Sequence, residues 1–189
     1  NHALVGQLAK GRRFVLDAFS HGGCFGLMAA RHGVRRVLCV DASQRAVDLV
    51  LEHARANGVP EVQAECADAV HVLRRFADSD DKPDLVVVDP PKYAARAAAL
   101  EQALKKYQHL NQTAMQAVAD GGVLVSCSCS GLVDRQAFLR MLAQAAHGAG
   151  RVVQLLDLRG PAPDHPVAPA HAEGQYLKVA VLRVTRRAS

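Results

Sequence analysis

Along the 189 residues, short apolar runs alternate with segments whose apolar positions return every three or four residues. The runs "RFVLDAF" (13–19), "RVLCVDA" (36–42), "VQAEC" (62–66), "DLVVVD" (84–89) and "GVLVSCS" (122–128) have the length and composition of strands. Between two of them, Val47, Val50, Leu51 and Ala54 form the i, i+3, i+4, i+7 stripe of an amphipathic helix. The longest predicted helix, about 96–119, is alanine-rich and stops before Asp120-Gly121-Gly122. Alternation of this kind predicts an α/β fold, a mostly parallel, doubly wound sheet with helices on both faces. The end of the chain breaks the rhythm. "VVQLLDL" (152–158) and "QYLKVAVLRV" (175–184) are joined by a Pro- and His-containing loop without helical period, so the last strand is expected to run against the others. Neither an internal repeat nor a low-complexity tract interrupts the pattern, and one domain is expected over 1–189.

In such sheets ligands bind beyond the carboxyl ends of the strands. Each of the first five predicted strands except the third ends at a reactive residue: Asp17, Asp41, Asp89 and Cys129. The first strand runs into "LDAFSHGGCFG", where Gly22, Gly23 and Gly26 precede a helix and permit close backbone approach to a ligand. The spacing is not that of a dinucleotide loop. A carboxylate at Asp17 would repel a pyrophosphate, which relies on helix amides, and suits an ammonium or sulfonium group instead. Asp41, in "CVDAS", can accept from both hydroxyls of a ribose. Asp68, in "CADA", can accept from the exocyclic amine of adenine or serve as a helix N-cap. Amine, ribose and adenine together describe S-adenosylmethionine, a cationic nucleoside without phosphate.

"DLVVVDPPKYAAR" sets an aspartate after an apolar run and before two prolines, which fix φ and stiffen the turn around Asp89. The Asp-Pro-Pro-aromatic arrangement is similar to that of methyltransferases acting on base nitrogens, except that Lys92 intervenes before Tyr93. The two nearby cysteines part ways. Val123, Val125 and Cys127 alternate onto one apolar face, which makes Cys127 a core thiol. Cys129 lies past the strand, beside Gly131, at the same sheet edge as Asp89. A C-x-C pair alone supplies too few metal ligands, and it lacks the C-x-x-C spacing of redox pairs. A thiolate that adds to carbon 6 of a pyrimidine turns carbon 5 into a nucleophile for a methyl group. A free thiol has a pKa of about 8.5; Lys92, a bound sulfonium or a helix starting near Val133 would lower it. Asp89 would hydrogen-bond or protonate N3.

The charge adds a partner class. A net +5, with basic groups at Lys10, Arg12, Arg13, Arg31, Arg35, Arg36, Lys105 and Lys106, suits an anion such as RNA, and Asp78, Asp80, Asp81 and Asp84 form an opposing acidic patch. Few aromatics are present, so a single-strand stacking platform is not evident. The five cysteines, odd in number and mostly within apolar runs, read as reduced cytoplasmic thiols. No run reaches the length of a membrane span. Asn1 in place of an initiator methionine leads us to expect a piece of a longer protein.

Taken together, "LDAFSHGGCFG", "VDASQRAVDLVLEHARANG", "VVVDPPKY", "YQHLNQTAMQAVADGGVLVSCSCSG" and "DHPV…EGQYLKV" resemble the bacterial 23S ribosomal RNA cytosine-5 methyltransferases of class I. The resemblance covers nearly the whole chain. It implies a Rossmann-like fold with a seven-stranded sheet and an antiparallel last strand. It also implies S-adenosylmethionine on Phe19, Ser20, Gly23, Asp41 and Asp68, Cys129 as nucleophile with Asp89 assisting, and an N-terminal PUA-type domain outside this chain. With Asp17, Gly22, Ser43 and Asp89 the expected cofactor set is complete, and Lys92 joins Cys129 and Asp89 on the catalytic side. Tyr107 and Asn111 match the family's Y-x-x-x-N stretch and either brace the catalytic loop or pack and cap. His165 either approaches the substrate or is simply exposed. Three other readings stay open: a uracil-5 methyltransferase, which typically has Asn-Pro after the cysteine where this chain has Ser130-Gly131; methylation of a base amine through Asp89-Pro90-Pro91; and a scaffold that binds nucleotide or RNA without catalysis. The oligomeric state is open, a homodimer included.

Overall fold

A computed structural model describes residues 1–94, 96–162, 166, 167, 174 and 176–187. The chain runs α1 (His2–Ala9), β1 (Phe14–Ala18), α2 (Cys24–Ala30), β2 (Arg36–Asp41), α3 (Gln44–Ala56), β3 (Val62–Cys66), α4 (Ala69–Ala77) and β4 (Leu85–Val88). It continues through a single 3-10 turn (Ala97–Ala99), α5 (Leu100–Ala117), β5 (Gly122–Ser128), α6 (Arg135–Gly148), β6 (Arg151–Arg159) and β7 (Lys178–Arg186). The strands form one seven-stranded sheet in the order β3-β2-β1-β4-β5-β7-β6. β1 to β5 pair in parallel, and β7 is antiparallel to both neighbours. The expected doubly wound sheet with a reversed last strand is the observed one. The last strand slots between β5 and β6, which leaves β6 at the edge.

Alternation along each strand sends side chains into two cores. Phe14, Leu16, Val86, Val88 and Leu124 face α4, α5 and α6, whose contributions include Leu73, Tyr107 and Phe138. Val15, Val37, Val87, Val125 and Cys127 face α1, α2 and α3. Because the central strands are buried on both faces, they read as unbroken apolar runs. The predicted 96–119 helix is the 3-10 turn followed by α5, which ends at Ala117 before the Asp-Gly-Gly turn. The short α1 was not anticipated: its eight residues carry Gly6 in mid-helix, and packing of Val5 and Ala9 under α2, not propensity, holds it.

The fold also divides the charged residues. Arg13 and Arg36, at the amino ends of β1 and β2, both pair with Asp81, at 2.7 and 2.6 Å. Part of the basic-against-acidic pattern is therefore internal pairing at the rim remote from the strands' carboxyl ends. Exposed pairs of this kind add about 0–1 kcal/mol each. Nearer the carboxyl ends, Lys92 and Arg96 are exposed, and Lys106 Nζ lies 5.9 Å from the Tyr93 ring centre. Among the described residues no helix is long and apolar enough to cross a membrane.

Candidate active site

The turn after β1 is built against local preference. Phe19 (φ 65°), His21 (φ 47°) and Gly23 (φ 78°) all occupy left-handed backbone, and only one of the three is glycine. Non-glycine residues held this way cost about 1–3 kcal/mol each and persist where surroundings over-determine them. The surroundings are identifiable. Ser20 N–H donates to Val40 O at 2.9 Å, His21 N–H to Asp41 Oδ2 at 2.9 Å, and Gly23 N–H to Ser20 O at 2.8 Å. From α3, His53 Nδ1 donates to Gly22 O at 3.0 Å. Asp41 thus fastens this loop to the end of β2, and its other oxygen accepts from Ser43 N–H at 2.9 Å. Ser43 itself caps α3, accepting from Ala46 N–H at 3.4 Å. Asp68 caps α4 through His71 N–H at 2.8 Å, so of the two roles open to it the cap is occupied by one oxygen. The Ser20 hydroxyl, by contrast, is buried and has no partner among the described residues.

Asp17 is fully buried beneath α2. Its Oδ2 accepts from Gly26 N–H at 2.9 Å, a helix amino-terminal amide that Gly23, the N-cap, cannot satisfy through a side chain. A Cβ on Gly26 would run into Cys39 Sγ, so glycine here lets helix and sheet approach. Asp17 Oδ1 has no partner among the described residues. Burial raises the Asp17 carboxyl to about 7; the Gly26 bond opposes this, and the charges of Asp89 and Asp41 add to it. The folded protein therefore keeps a proton that the unfolded chain releases near pH 4. Stability is then highest below pH 4 for this group and declines as pH rises toward about 7. The substitution Asp17→Asn is expected to remove a difference on the order of 2 kcal/mol between pH 5 and pH 8 in urea unfolding. An unchanged slope would place the titration elsewhere.

Three carboxylates, those of Asp17, Asp41 and Asp89, thus interact at adjacent strand ends, and two buried oxygens, Asp17 Oδ1 and Ser20 Oγ, lack partners among the described residues. That set of acceptor oxygens fits a cation with hydroxyl and amine groups and opposes a polyanion. S-adenosylmethionine meets the description, with its sulfonium and ammonium suited to the carboxylates and its ribose to Asp41.

The loops after β4 and β5 are held by one serine. Ser130 is fully buried; its Oγ lies 3.0 Å from Tyr107 Oη and accepts from Ala94 N–H at 3.3 Å, and its carbonyl accepts from Lys178 Nζ at 2.6 Å. α5, the Asp89-Pro90-Pro91 loop and β7 therefore meet at the residue following Cys129. Tyr107 takes both roles open to it, packing in the core and bracing this loop through its hydroxyl. Asn111 instead donates back to Tyr107 O at 2.8 Å within α5. Tyr93 packs on Tyr107 with ring centres 4.7 Å apart, which engages the aromatic of the Asp-Pro-Pro stretch inside the protein. Cys127 is 1% exposed in the core, whereas Cys129 is partly exposed, its Sγ 4.0 Å from Pro90 O.

Asp89 is partly buried, which raises its carboxyl above the usual range. It lines a cavity of about 210 Å³ with His2, Phe25 and Tyr176. The Cys129 thiol is raised as well: burial contributes most and Asp89 adds to it, while Lys178 and then Lys92 oppose both. The expectation that Lys92 or a following helix depresses the thiol is therefore not met in net. Lys92 is exposed, and α6 begins behind Asp134, whose carboxylate caps it by accepting from Ala137 N–H at 2.7 Å. Lys178 and the Ser130 hub were missed from the sequence. Their signal was a lysine opening an apolar strand, since a buried cation must find acceptors. His165 lies outside the described residues.

Residues 4–137 match the family described as Conserved hypothetical protein 95. The chain belongs to this family. Over 185 residues, 97% of the chain, it is 39% identical to Ribosomal RNA large subunit methyltransferase I of Aeromonas hydrophila, and that match spans 46% of the relative. The chain thus spans about half the length of the curated relatives it matches. Among solved structures, SMU.776, a candidate methyltransferase complexed with SAH, superposes with a TM-score of 0.81 at 22% identity, covering 95% of this chain and 48% of that one. Trm5b from Pyrococcus abyssi gives 0.69 at 22%, covering 97% and 48%. At that identity the likeness is one of fold, and the Conserved hypothetical protein 95 domain described here has the Rossmann-like class I methyltransferase architecture.

Proposed function

We propose that this domain transfers a methyl group from S-adenosylmethionine to carbon 5 of a cytosine in large-subunit ribosomal RNA, with Cys129 as nucleophile. The observation that carries the reading is the seat of Cys129: a partly exposed thiol against the Pro90 carbonyl, beside Asp89, at the edge where three carboxylates gather. The name of the Aeromonas relative supports the substrate class. Phe19, Ser20, Gly22, Gly23, Asp41, Ser43 and Asp68 hold the cofactor, with Asp17 toward its positive end and Asp89 between the cofactor and the target base. When bound, S-adenosylmethionine supplies an electrophilic methyl group, which carbon 5 takes up once it is nucleophilic.

The chain's own residues make carbon 5 nucleophilic. The Cys129 thiolate forms a bond to carbon 6, and the ring electrons move toward N3. Asp89, whose protonated form is favoured by burial, donates to N3 and stabilises that charge. After methylation a base removes the carbon-5 proton. The electron pair re-forms the ring double bond, the carbon–sulfur bond breaks, and Asp89 recovers its proton from N3. Lys92, exposed at the mouth, meets RNA phosphate. The domain then serves as the catalytic part of a longer cytoplasmic enzyme with a separate RNA-binding module of the PUA type.

The test is product analysis. Large-subunit ribosomal RNA incubated with the protein and labelled S-adenosylmethionine is digested to nucleosides and resolved by mass spectrometry. We expect label in 5-methylcytidine. Label in 5-methyluridine would mean a uracil enzyme, label on a base amine would move the chemistry to Asp89-Pro90-Pro91, and the absence of label would leave a binding scaffold.

A further inference from the structure

Lys178 is out of place by composition. It opens β7, pairs across from Ser128, and is 4% exposed between Leu177 and Val179. Burying an ammonium costs several kcal/mol unless it is paired and fully hydrogen-bonded, yet among the described residues Lys178 forms no ion pair. Its partners are two carbonyls: Nζ donates to Ser130 O at 2.6 Å and to Tyr176 O at 2.8 Å. A methionine or leucine would fill the volume without that cost. Burial pushes the Lys178 ammonium below its ordinary range, against which the Cys129 thiol and Asp134 act, while the charges acting on Cys129 are those of Asp89, Lys178 and Lys92. Of the two cations near the thiol, Lys92 is exposed and screened by solvent, whereas Lys178 is buried and acts through protein. Lys178 also borders a cavity of about 450 Å³ with Gly131, Asp134 and Arg135, on the flank of the same loop.

We propose that Lys178 is a positioning residue for Cys129: its ammonium pins the thiol's loop to β7 through the Ser130 carbonyl and supplies the fixed positive charge against which the thiol ionises. Its role in catalysis rests on the reading of Cys129 as nucleophile; its effect on the thiol does not. The thiol's ionisation can be read in the free protein, without RNA or methyl donor. Iodoacetamide alkylation is followed from about pH 6 to about pH 10, a span that brackets the ordinary thiol range, and each cysteine is quantified by peptide mass spectrometry. In the Lys178→Met variant, alkylation at Cys129 is expected to slow roughly tenfold near neutral pH, the equivalent of about one pKa unit, with the profile displaced to higher pH. Lys178→Arg keeps the charge and is expected to stay near the wild-type profile. Cys127 is the internal control for folding, since it reacts only when the core opens. Intact protection of Cys127 with an unmoved Cys129 profile in Lys178→Met overturns the proposal. Should Lys178→Met expose Cys127, the reciprocal measurement decides. In protein labelled with carbon-13 lysine, the NMR titration of Lys178 is expected at lower pH in Cys129→Ala than in wild type, because coupling acts equally in both directions; equal midpoints overturn the proposal. Methylation that persists in Cys129→Ala would refute the nucleophile assignment while leaving both thiol measurements standing.

Discussion

With RNA carrying 5-fluorocytosine at the target position and S-adenosylmethionine present, wild-type protein and Cys127→Ala are expected to form a denaturation-resistant protein–RNA adduct, and Cys129→Ala none. The fluorine occupies the place of the proton that must leave carbon 5, so the ring cannot eliminate the cysteine after methylation. The complex stays covalent at the step where the natural base would depart. The two cysteines differ by position, not chemistry: Cys127 is in the core with Val125 and Val179, while Cys129 meets the Pro90 carbonyl at the site. A retarded band on a denaturing gel reads the result. An adduct that survives Cys129→Ala would remove the nucleophile from this scheme, and loss of the adduct in Cys127→Ala would show that the two thiols are not separated as described.

The second large effect is expected at Gly23→Ala. Gly23 holds φ 78°, and a Cβ there would lie 3.0 and 3.1 Å from the two Val50 methyls, inside the packing of α3. Left-handed backbone costs an L-residue about 1–2 kcal/mol, and displacement of Val50 shifts the wall of the loop that the proposal gives to the cofactor. Calorimetric affinity for S-adenosylmethionine should fall at least about tenfold, the equivalent of about 1.4 kcal/mol. Gly33→Ala is the matched control: φ is 86°, but nothing lies within 4 Å of the added carbon, and the turn is not at the strands' carboxyl ends. It should lose similar stability and keep the affinity. Equal affinities for both variants would place the cofactor elsewhere.

The sheet was legible because its central strands are apolar on both faces, and the reversed final strand because no helical period separates 158 from 175. Strand-end residues followed directly: Asp41, Asp89 and Cys129 needed only strand boundaries good to a residue or two. The alternation of Val123, Val125 and Cys127 placed the core thiol. What could not be read were contacts made across long separations. Ser130 meets Ala94, Tyr107 and Lys178 at separations of 36, 23 and 48 residues, and no local pattern encodes them. Electrostatic balance was misjudged for the same reason. The sequence shows Lys92 beside the motif, but it does not show that burial and Asp89 outweigh it at the thiol. Composition also overstated the free basic surface, since Arg13 and Arg36 share Asp81.

The interior place of β7 bears on how the molecule comes into being. Among the described residues β6 pairs with the sheet only through β7, and β7 follows it in the chain, so β6 has no strand to pair with until Lys178–Arg186 is in place. The thiol loop gains its Lys178 contact with that same strand, beside those it already has with Tyr107 and Ala94. One strand therefore completes both the sheet and the hold on the Cys129 loop.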